Sequence, residues 1–398
     1  MGLWRNRDFA ILWSGRAVSE FGSAMSIVTL PLLTLSVGGS PTHAGLVLAT
    51  STVASLIVAL YAGAVVDRVN RKKAMLASVL VRALAFGVVA VTTATGRTNL
   101  TELYAVAAVL GVAGPFFSAA ETAAIRTVVP VADLPSAYSQ NQVRSMAAEL
   151  SGSPVGGALY AFAHAIPFGA DAVTFLLEAA ALTAIRNPLP APQKRTGRRG
   201  IWNEIGEGLQ FVGRNDFLRS AVIAGGTINF AAMWPALLIT LHARNISPTL
   251  IGAAMAGMTA AGLIGALLAP VVSRNRPPGH VMIVAVWWLV AAVAGMAAMP
   301  ATAVLLGALM VALLAVPVVG ILLSSYEAAI TPDAFIGRVG SANRFVCTLA
   351  IPAGQALGGV LIAAGGPHLA FGVYAAAVLA GALIMTASPA VRQLKSVQ

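Results

Sequence analysis

Between residues 11 and 388 the sequence is a succession of long stretches nearly free of charge. They fall at 11–36, 44–66, 74–95, 100–124, 137–163, 168–186, 217–241, 248–272, 280–300, 302–325, 341–364 and 368–388. A stretch of about 20 apolar residues is what an α-helix needs to cross a hydrocarbon layer roughly 30 Å thick. That layer has no water to satisfy a backbone amide, so only helices and closed barrels traverse it, and unbroken apolar runs select helices. The pattern predicts an all-α integral membrane protein with twelve transmembrane helices. Residue usage points the same way: 58% of the chain is hydrophobic and 10% charged, against about 25% charged in an ordinary soluble domain.

The charges lie between the runs and set an orientation. The formal net charge of +11 is not gathered into a basic domain, so it reads as a topology signal and not as a nucleic-acid surface. With the amino terminus inside, nineteen lysines and arginines fall in cytoplasmic segments and only Arg97 and Arg244 on the opposite side. That excess predicts both termini in the cytoplasm. Arginine outnumbers lysine, and alanine and glycine are abundant, which fits a GC-rich bacterial source and a multi-pass protein of the cytoplasmic membrane. The first run exceeds the roughly 7–15 residues of a signal-peptide core. It also contains Arg16 and Glu20, so no cleavable leader is expected. The one cysteine, Cys347, forms no internal disulfide and reads as a small apolar helix residue.

The middle of the chain breaks the pattern. Pro188, Pro190 and Pro192 precede the basic run Lys194, Arg195, Arg198 and Arg199, which reads as a solvated linker. Ile201, Ile205, Leu209 and Val212 then fall on one helical face, predicting a short amphipathic helix along the inner membrane surface. Around this linker the chain resembles itself. Asn6-Arg7-Asp8-Phe9 recurs as Arg214-Asn215-Asp216-Phe217, and Ser40-Pro41-Thr42-x-x-Gly45 as Ser247-Pro248-Thr249-x-x-Gly252. Pro115 matches Pro317, Gly156-Gly157 matches Gly358-Gly359, and Phe168-Gly169 matches Phe371-Gly372, with offsets from 202 to 208. Six spans separate the copies, an even number, so both halves keep one orientation. The expectation is parallel repeats related by a pseudo-twofold axis along the membrane normal. Residues 1–186 would form a first six-helix bundle, 187–215 the linker with its amphipathic helix, and 216–398 a second six-helix bundle.

The sharpest local signal is Gly63-Ala-Val-Val-Asp67-Arg68-Val-Asn-Arg71-Lys72-Lys73, a hairpin that joins two apolar runs. An aspartate at a helix end can accept amide hydrogens at the positive start of a neighbouring helix. Gly63 would let helices approach, and Arg68, Arg71 and Lys72 would clamp carboxylates or headgroups. The pattern G-x-x-x-D-R-x-x-R-K-K resembles the signature loop of the major facilitator superfamily, between that family's second and third helices. The resemblance implies two six-helix bundles around a central site and alternating access. It also implies a cytoplasmic latch in which this loop meets the start of the eleventh helix, here near Gly337–Ser341. The counterpart Ser273–Pro278 has Arg274 and Arg276 but no acid, so the latch is expected in one half only. Gly152-Ser153-Pro154-Val155-Gly156-Gly157 is similar to an element that exporters of the superfamily carry in their fifth helix, without its Gly-Pro pair. Close packing of small residues explains it nearly as well. Within the fourth span, the stretch Leu110–Phe117 lacks the arginine common in multidrug antiporters of the family, so their coupling scheme does not carry over directly.

Ionisable residues inside apolar spans cost roughly 2.5–3.5 kcal/mol each at mid-depth and mark pathways or internal pairs. Glu20, Glu149 and Glu178 fall near mid-depth, Arg16, Arg82, Arg144 and Arg344 in the inner third, and Asp171 nearer the outer surface. Arg16 and Glu20 share a helical face at four-residue spacing. Glu20, Glu149 and Glu178 are the candidates for proton coupling, since a poorly solvated carboxyl can take up and release a proton. Arg16, Arg82 and Arg144 are their candidate charge partners. The alternative is a neutralised network that only positions helices.

Phe116, Phe117, Asn229, Phe230, Trp234 and Gln355 are candidates to line a substrate cavity, as are Met233, Trp287 and Trp288, although packing or lipid contact accounts for such residues as readily. Trp4, Trp13 and Trp202 read as interfacial anchors. The five histidines lie at span ends with no metal-binding spacing, and no G-x-x-x-x-G-K phosphate loop appears, so neither metal, ATP, another cofactor nor enzyme chemistry is expected. The run Asn6–Phe9 with Leu12-Trp13-Ser14-Gly15, the loop Val65–Lys73 and the stretch from Ala119 through Gly157 look like the macrolide-efflux and enterobactin-exporter-like branch. That likeness implies proton-driven export of a hydrophobic small molecule, a drug, antibiotic, siderophore or other secondary metabolite. The expected partners are that molecule, protons and the lipid bilayer, with no nucleic acid and a monomeric state. Two readings stay open beside it: an importer of the same fold, and a membrane sensor or assembly partner without transport.

Overall fold

Asn6, Ser40, Asn70, Asn99 and Asn215 each begin a helix by accepting, on the side chain, the amide hydrogen of the residue three positions on. These caps satisfy backbone donors that no intrahelical carbonyl reaches. A computed structural model of the chain describes residues 4, 6–186, 201–231, 234–274, 276–299, 301–331 and 336–394, without the side chains of 201–205, 208, 328–329, 336–338, 341 and 344. The helices are α1 (Arg7–Ser36), α2 (Pro41–Val66), α3 (Arg71–Ala94), α4 (Leu100–Val128), α5 (Leu134–Phe162), α6 (Ile166–Ala184), α7 (Ile201–Arg214) and α8 (Asp216–Phe230), followed by α9 (Trp234–Ala243), α10 (Pro248–Ser273), α11 (Pro278–Ala298), α12 (Thr302–Ile330), α13 (Ile336–Ala387) and α14 (Pro389–Arg392). Every element of the described residues is helical, the all-α fold that the apolar runs require. Ten segments are long and apolar enough to cross a membrane, so the protein is a multi-pass membrane protein.

Three expected spans differ from that set. The run at 137–163 is helical as α5, 29 residues long, but its polar first half keeps it outside the ten. The runs at 341–364 and 368–388 join as α13, whose backbone leaves helical geometry at Gly365 and at Gly366, where φ is +70°. Only glycine enters that left-handed region without strain, so the expected break falls where the chain can bend. A third difference lies in the seventh run: α8 ends at Phe230, Ala231 caps it, and α9 starts at Trp234.

The chain forms two compact units, Met1–Thr196 with His242–Ala256, and Gly197–Leu241 with Gly257–Gln398. In the first, α1 packs on α2, α4, α5 and α6, and α3 packs on α4 and α6. In the second, α13 packs on α7, α8 and α11, and α11 on α12. The linker 187–200 and its cations lie outside the described residues. The amphipathic helix expected after it is present as α7, with Val212 buried and Leu209 40% exposed; Ile201 and Ile205 lie outside the described side chains.

The repeated motifs perform matched local tasks. Asn6 caps α1 on the Phe9 amide and Asn215 caps α8 on the Leu218 amide; Ser40 caps α2 and Ser247 caps α10, each at 3.4 Å. Gly152 and Gly156 bring α5 against the backbone of α1, and Gly354 brings α13 against the backbone of α8 at Phe230. A Cβ at Gly156 would stand 2.5 Å from Met25 Cα and 2.6 Å from its carbonyl oxygen, whereas a Cβ at Gly63 would meet nothing within 4 Å. Gly156→Leu should therefore lower the thermal stability of the solubilised protein by about 1–3 kcal/mol through over-packing, and Gly63→Ala should leave it unchanged. Thermal unfolding followed by size-exclusion recovery measures both.

A buried charge cluster as the candidate functional site

The first unit gathers ionisable side chains from five helices. α1 supplies Arg16 and Glu20 one turn apart, and Arg16 Nε donates to Glu20 Oε1 at 3.1 Å. α5 supplies Arg144, 5% exposed, whose Nε and Nη2 donate to the two oxygens of Glu20 at 2.9 and 3.1 Å. This fork-on-fork pairing fixes geometry as well as charge. Ser145 Oγ adds a donor to Glu20 at 3.0 Å, so Glu20 accepts from four donors on two helices. The Arg144 fork is held in turn by Asn141, one turn earlier on α5, at 3.2 Å.

α4 adds Glu121, which accepts from Arg144 Nη2 at 3.2 Å and lies 3.8 Å from Arg16 Nε. The residue-by-residue reading of the spans passed over this acid, because it falls at the inner end of the fourth apolar run, where a carboxylate reads as a loop charge. The internal repeat carried the missing signal. Glu121 lies 206 residues before Glu327, and Glu327 accepts from Asn343 of α13 as Glu121 accepts from Arg144 of α5. Phe117, one turn from Glu121 and fully buried, places its ring under the Arg16 guanidinium, 4.4 Å from centroid to Cζ. Its ring packs against that cation.

α6 supplies Glu178, with a side chain 1% exposed and 3.9 Å from Arg16 Nη1. Two turns earlier, fully buried Asp171 accepts from Ser26 of α1 at 2.5 Å and from Thr174 at 3.3 Å. α3 supplies Arg82, its guanidinium 4.4 Å from the centroid of Phe175. Arg16, Glu20, Glu121, Arg144 and Glu178 are therefore brought together directly. Glu149 is exposed on α5, one turn beyond Ser145, and so differs in setting from Glu20 and Glu178.

The hairpin between α2 and α3 is tied to its own unit. Asp67 caps α2, its amide bonded to the Gly63 carbonyl at 3.0 Å. Arg71 donates to the Ala123 carbonyl and to Thr127 near the end of α4 at 3.1 and 2.6 Å. Lys72 donates to the Thr183 and Ile185 carbonyls at the end of α6, each at 2.9 Å. Within the protein these two cations bond three backbone carbonyls and one hydroxyl. Arg68 and Gly63 are exposed, and among the described residues a Cβ at Gly63 would meet nothing within 4 Å. Part of the segment expected to meet this loop, 337–341, lies outside the described side chains.

The remaining cavity candidates divide by setting. Phe116 is half-buried on α4. In the second unit, Asn229 is half-buried and donates to the Cys347 carbonyl at 3.0 Å, bridging α8 to α13. Phe230 meets Tyr374 edge to face at 5.9 Å, Gln355 is buried, and Trp234 is half-buried at the start of α9. Trp287 and Trp288 are exposed with their indole N–H groups bonded to Thr386 and the Val311 carbonyl; Met233 and the side chain of Trp202 lie outside the described residues. Among the described residues no group of three or more histidine, cysteine or acidic side chains is placed to hold a metal ion.

A chain of apolar membrane helices enclosing a buried, hydrogen-bonded ion-pair cluster defines a polytopic transporter. It belongs to the major facilitator superfamily, whose family model, described as Major Facilitator Superfamily, matches residues 12–354. It is 26% identical to the multidrug efflux pump Tap of Mycolicibacterium fortuitum over 396 residues, covering 97% of this chain and 95% of that protein. Among solved structures, the nucleoside transporter NupG superposes with a TM-score of 0.76 at 12% identity, covering 98% of this chain and 100% of that one. A bacterial homologue of the iron transporter ferroportin in an inward-facing state superposes with a TM-score of 0.75 at 17% identity, covering 97% and 99%. The chain is thus a transporter and not an enzyme, moving small molecules across a membrane by secondary active transport.

The cluster itself yields a test. Arg144→Met removes the cation that Glu20 and Glu121 share, leaving Arg16 to face both carboxylates. Breaking a buried pair in this way costs about 3–5 kcal/mol. The double variant Arg144→Met/Glu20→Gln should recover part of that loss, which thermal unfolding of the single and double variants will show.

Proposed function

We propose that this protein is a proton-coupled exporter of a hydrophobic small molecule, working by alternating access. The observation that carries the reading is the buried set of carboxyls and arginines on α1, α3, α4, α5 and α6. Charge at membrane depth is expensive and marks a functional path by default. Full-length likeness to a protein named as a multidrug efflux pump supports export as the direction. The macrolide-efflux and enterobactin-exporter-like branch belongs to this proposal, as do the roles of Glu20, Glu149 and Glu178 in coupling. So do Phe116, Asn229, Phe230, Trp234 and Gln355 as substrate contacts.

The architecture proposed with it has twelve spans in two pseudo-twofold-related six-helix bundles, over 1–186 and 216–398, joined by 187–215. Counting α5 as a span and each half of α13 separately raises the ten apolar segments to that number. Matched capping of α1 with α8 and of α2 with α10 supports the repeat. The cation excess places both termini in the cytoplasm of a bacterial cell, and the protein is read as a monomer.

Expression in a pump-deficient, drug-sensitive bacterial host should raise the tolerated dose of some apolar compounds in a panel, and a protonophore should erase the gain. No protection against any compound ends the exporter reading. The triple variant Glu20→Gln/Glu149→Gln/Glu178→Gln should lose gradient-dependent efflux; undiminished, protonophore-sensitive efflux would place coupling elsewhere. Asp67→Asn should reduce efflux while leaving membrane insertion intact, measured by surface labelling beside transport, and wild-type efflux would remove the latch from the mechanism.

A further inference from the structure

The buried cluster is one positive charge short. Its described members are three guanidinium groups, Arg16, Arg82 and Arg144, and four carboxyls, Glu20, Glu121, Asp171 and Glu178. Arg82 lies in electrostatic reach of Arg16, Asp171, Glu178 and Glu20, and Arg16 in reach of Glu20, Glu121 and Glu178. Fully ionised, the set would keep a net charge of −1 in apolar surroundings, which is costly unless neutralised. Hydrogen bonding shows where the missing charge belongs. Glu20 accepts from four donors, Glu121 from Arg144, and Asp171 from Ser26 and Thr174. Both oxygens of Glu178 are buried with no hydrogen-bond partner, and its nearest cation stands at 3.9 Å.

The surroundings of Glu178 favour a proton over a larger ion. α6 lies directly on α1 through small residues: a Cβ at Gly15 would stand 2.8 Å from Ala181 Cβ, and one at Gly22 would stand 2.6 Å from Asp171 Oδ1. Along this part of α1 lie three hydroxyls, those of Ser19, Ser23 and Ser26. Ser19 donates to the Arg16 carbonyl at 3.1 Å and is the hydroxyl that acts on Glu178, Ser23 Oγ is buried without a hydrogen-bond partner, and Ser26 donates to Asp171. On the α3 side, Arg82 Nε and Nη1 and, on α1, Arg16 Nη1 are also buried without partners. Buried donors and acceptors set too far apart for direct bonds are satisfied by bridging water. Glu178 and Asp171 are seven residues apart, about 10 Å along the helix at 1.5 Å per residue, with Ser19, Ser23, Ser26 and Thr174 on the two helices that face each other there.

We infer that Glu178 carries one proton in the resting protein, and that the α1–α6 seam passes it to Asp171, with Arg82 as the positioning charge. The step conserves charge: Glu178 releases a proton to the hydroxyl and water chain, and Asp171 takes up a proton from the other end. Every element packed on α6 contributes to its setting: Arg16 and Glu20 from α1, Arg82 from α3, and Arg144 from α5, with Glu121 of α4 behind Arg16. The inference rests on the proton-coupled reading but is tested without any substrate.

Infrared spectroscopy of the purified protein in lipid nanodiscs should show a protonated-carboxyl carbonyl band at neutral pH. Glu178→Gln should abolish it, Glu178→Asp should shift it, and Glu20→Gln should leave it in place. Transfer to D2O should shift the band promptly in the wild type and slowly in Asp171→Asn. A band that survives Glu178→Gln, or that is lost in Glu20→Gln, overturns the site; an unchanged exchange rate in Asp171→Asn overturns the path. If Glu178→Gln does not fold, an unshifted band in Glu178→Asp overturns the site equally. Protonophore-sensitive efflux without this band would leave export standing and remove Glu178 from it, while the band without efflux would do the reverse.

Discussion

A guanidinium in hydrocarbon is tolerated only with partners, and Arg144 has them on two helices besides its own. It reaches Glu20 on α1 with a two-pronged contact and Glu121 on α4 with one more, while Asn141 steadies it from behind. Removing it would leave Glu20 of α1 and Glu121 of α4 with Arg16 as the one close cation between them among the described residues. Such a cluster adds little net stability compared with an apolar core of the same shape, because desolvation offsets most of the attraction. What it supplies is registry: α5 can sit on α1 in only one way if the fork is to meet its carboxylate. The small residues Gly152 and Gly156 then let the two backbones close at that setting.

Much of this was legible in the sequence, for reasons that can be named. Membrane helices announce themselves because hydrocarbon demands length and apolarity together, and α1 to α4 start within a few residues of their predicted positions. Arg16 and Glu20 were readable as a pair from spacing alone, since four residues make one turn. Pairing between helices was not readable. Nothing local says that Arg144 meets Glu20 124 positions away, and Glu121 was hidden by lying near a span end. Phe117 looked like a cavity aromatic because its burial under a cation depends on neighbours far along the chain. The break at Gly365–Gly366 was visible as a gap between runs, whereas the end of α8 at Phe230 was not, since no proline or glycine follows it at once.

The same contrast holds at the inner surface. The basic residues there were read by sign and count, which sets orientation well. Their individual bonds are a matter of reach. Lys72 and Arg71 sit at the first turn of α3; Lys72 extends to carbonyls at the end of α6, where the helix dipole is negative, and Arg71 to the Ala123 carbonyl and the Thr127 hydroxyl of α4.

Asn6 donates to the Val128 carbonyl at 2.7 Å, and Asp8 accepts from the Arg186 amide at 3.3 Å. With the Lys72 and Arg71 bonds, these contacts stitch the starts of α1 and α3 and the ends of α4 and α6 into one plate. A plate cross-braced at its rim resists shear between its own members. Any large displacement of this half during a working cycle would then be carried as a solid body, with bending confined to the stretches of chain that leave it.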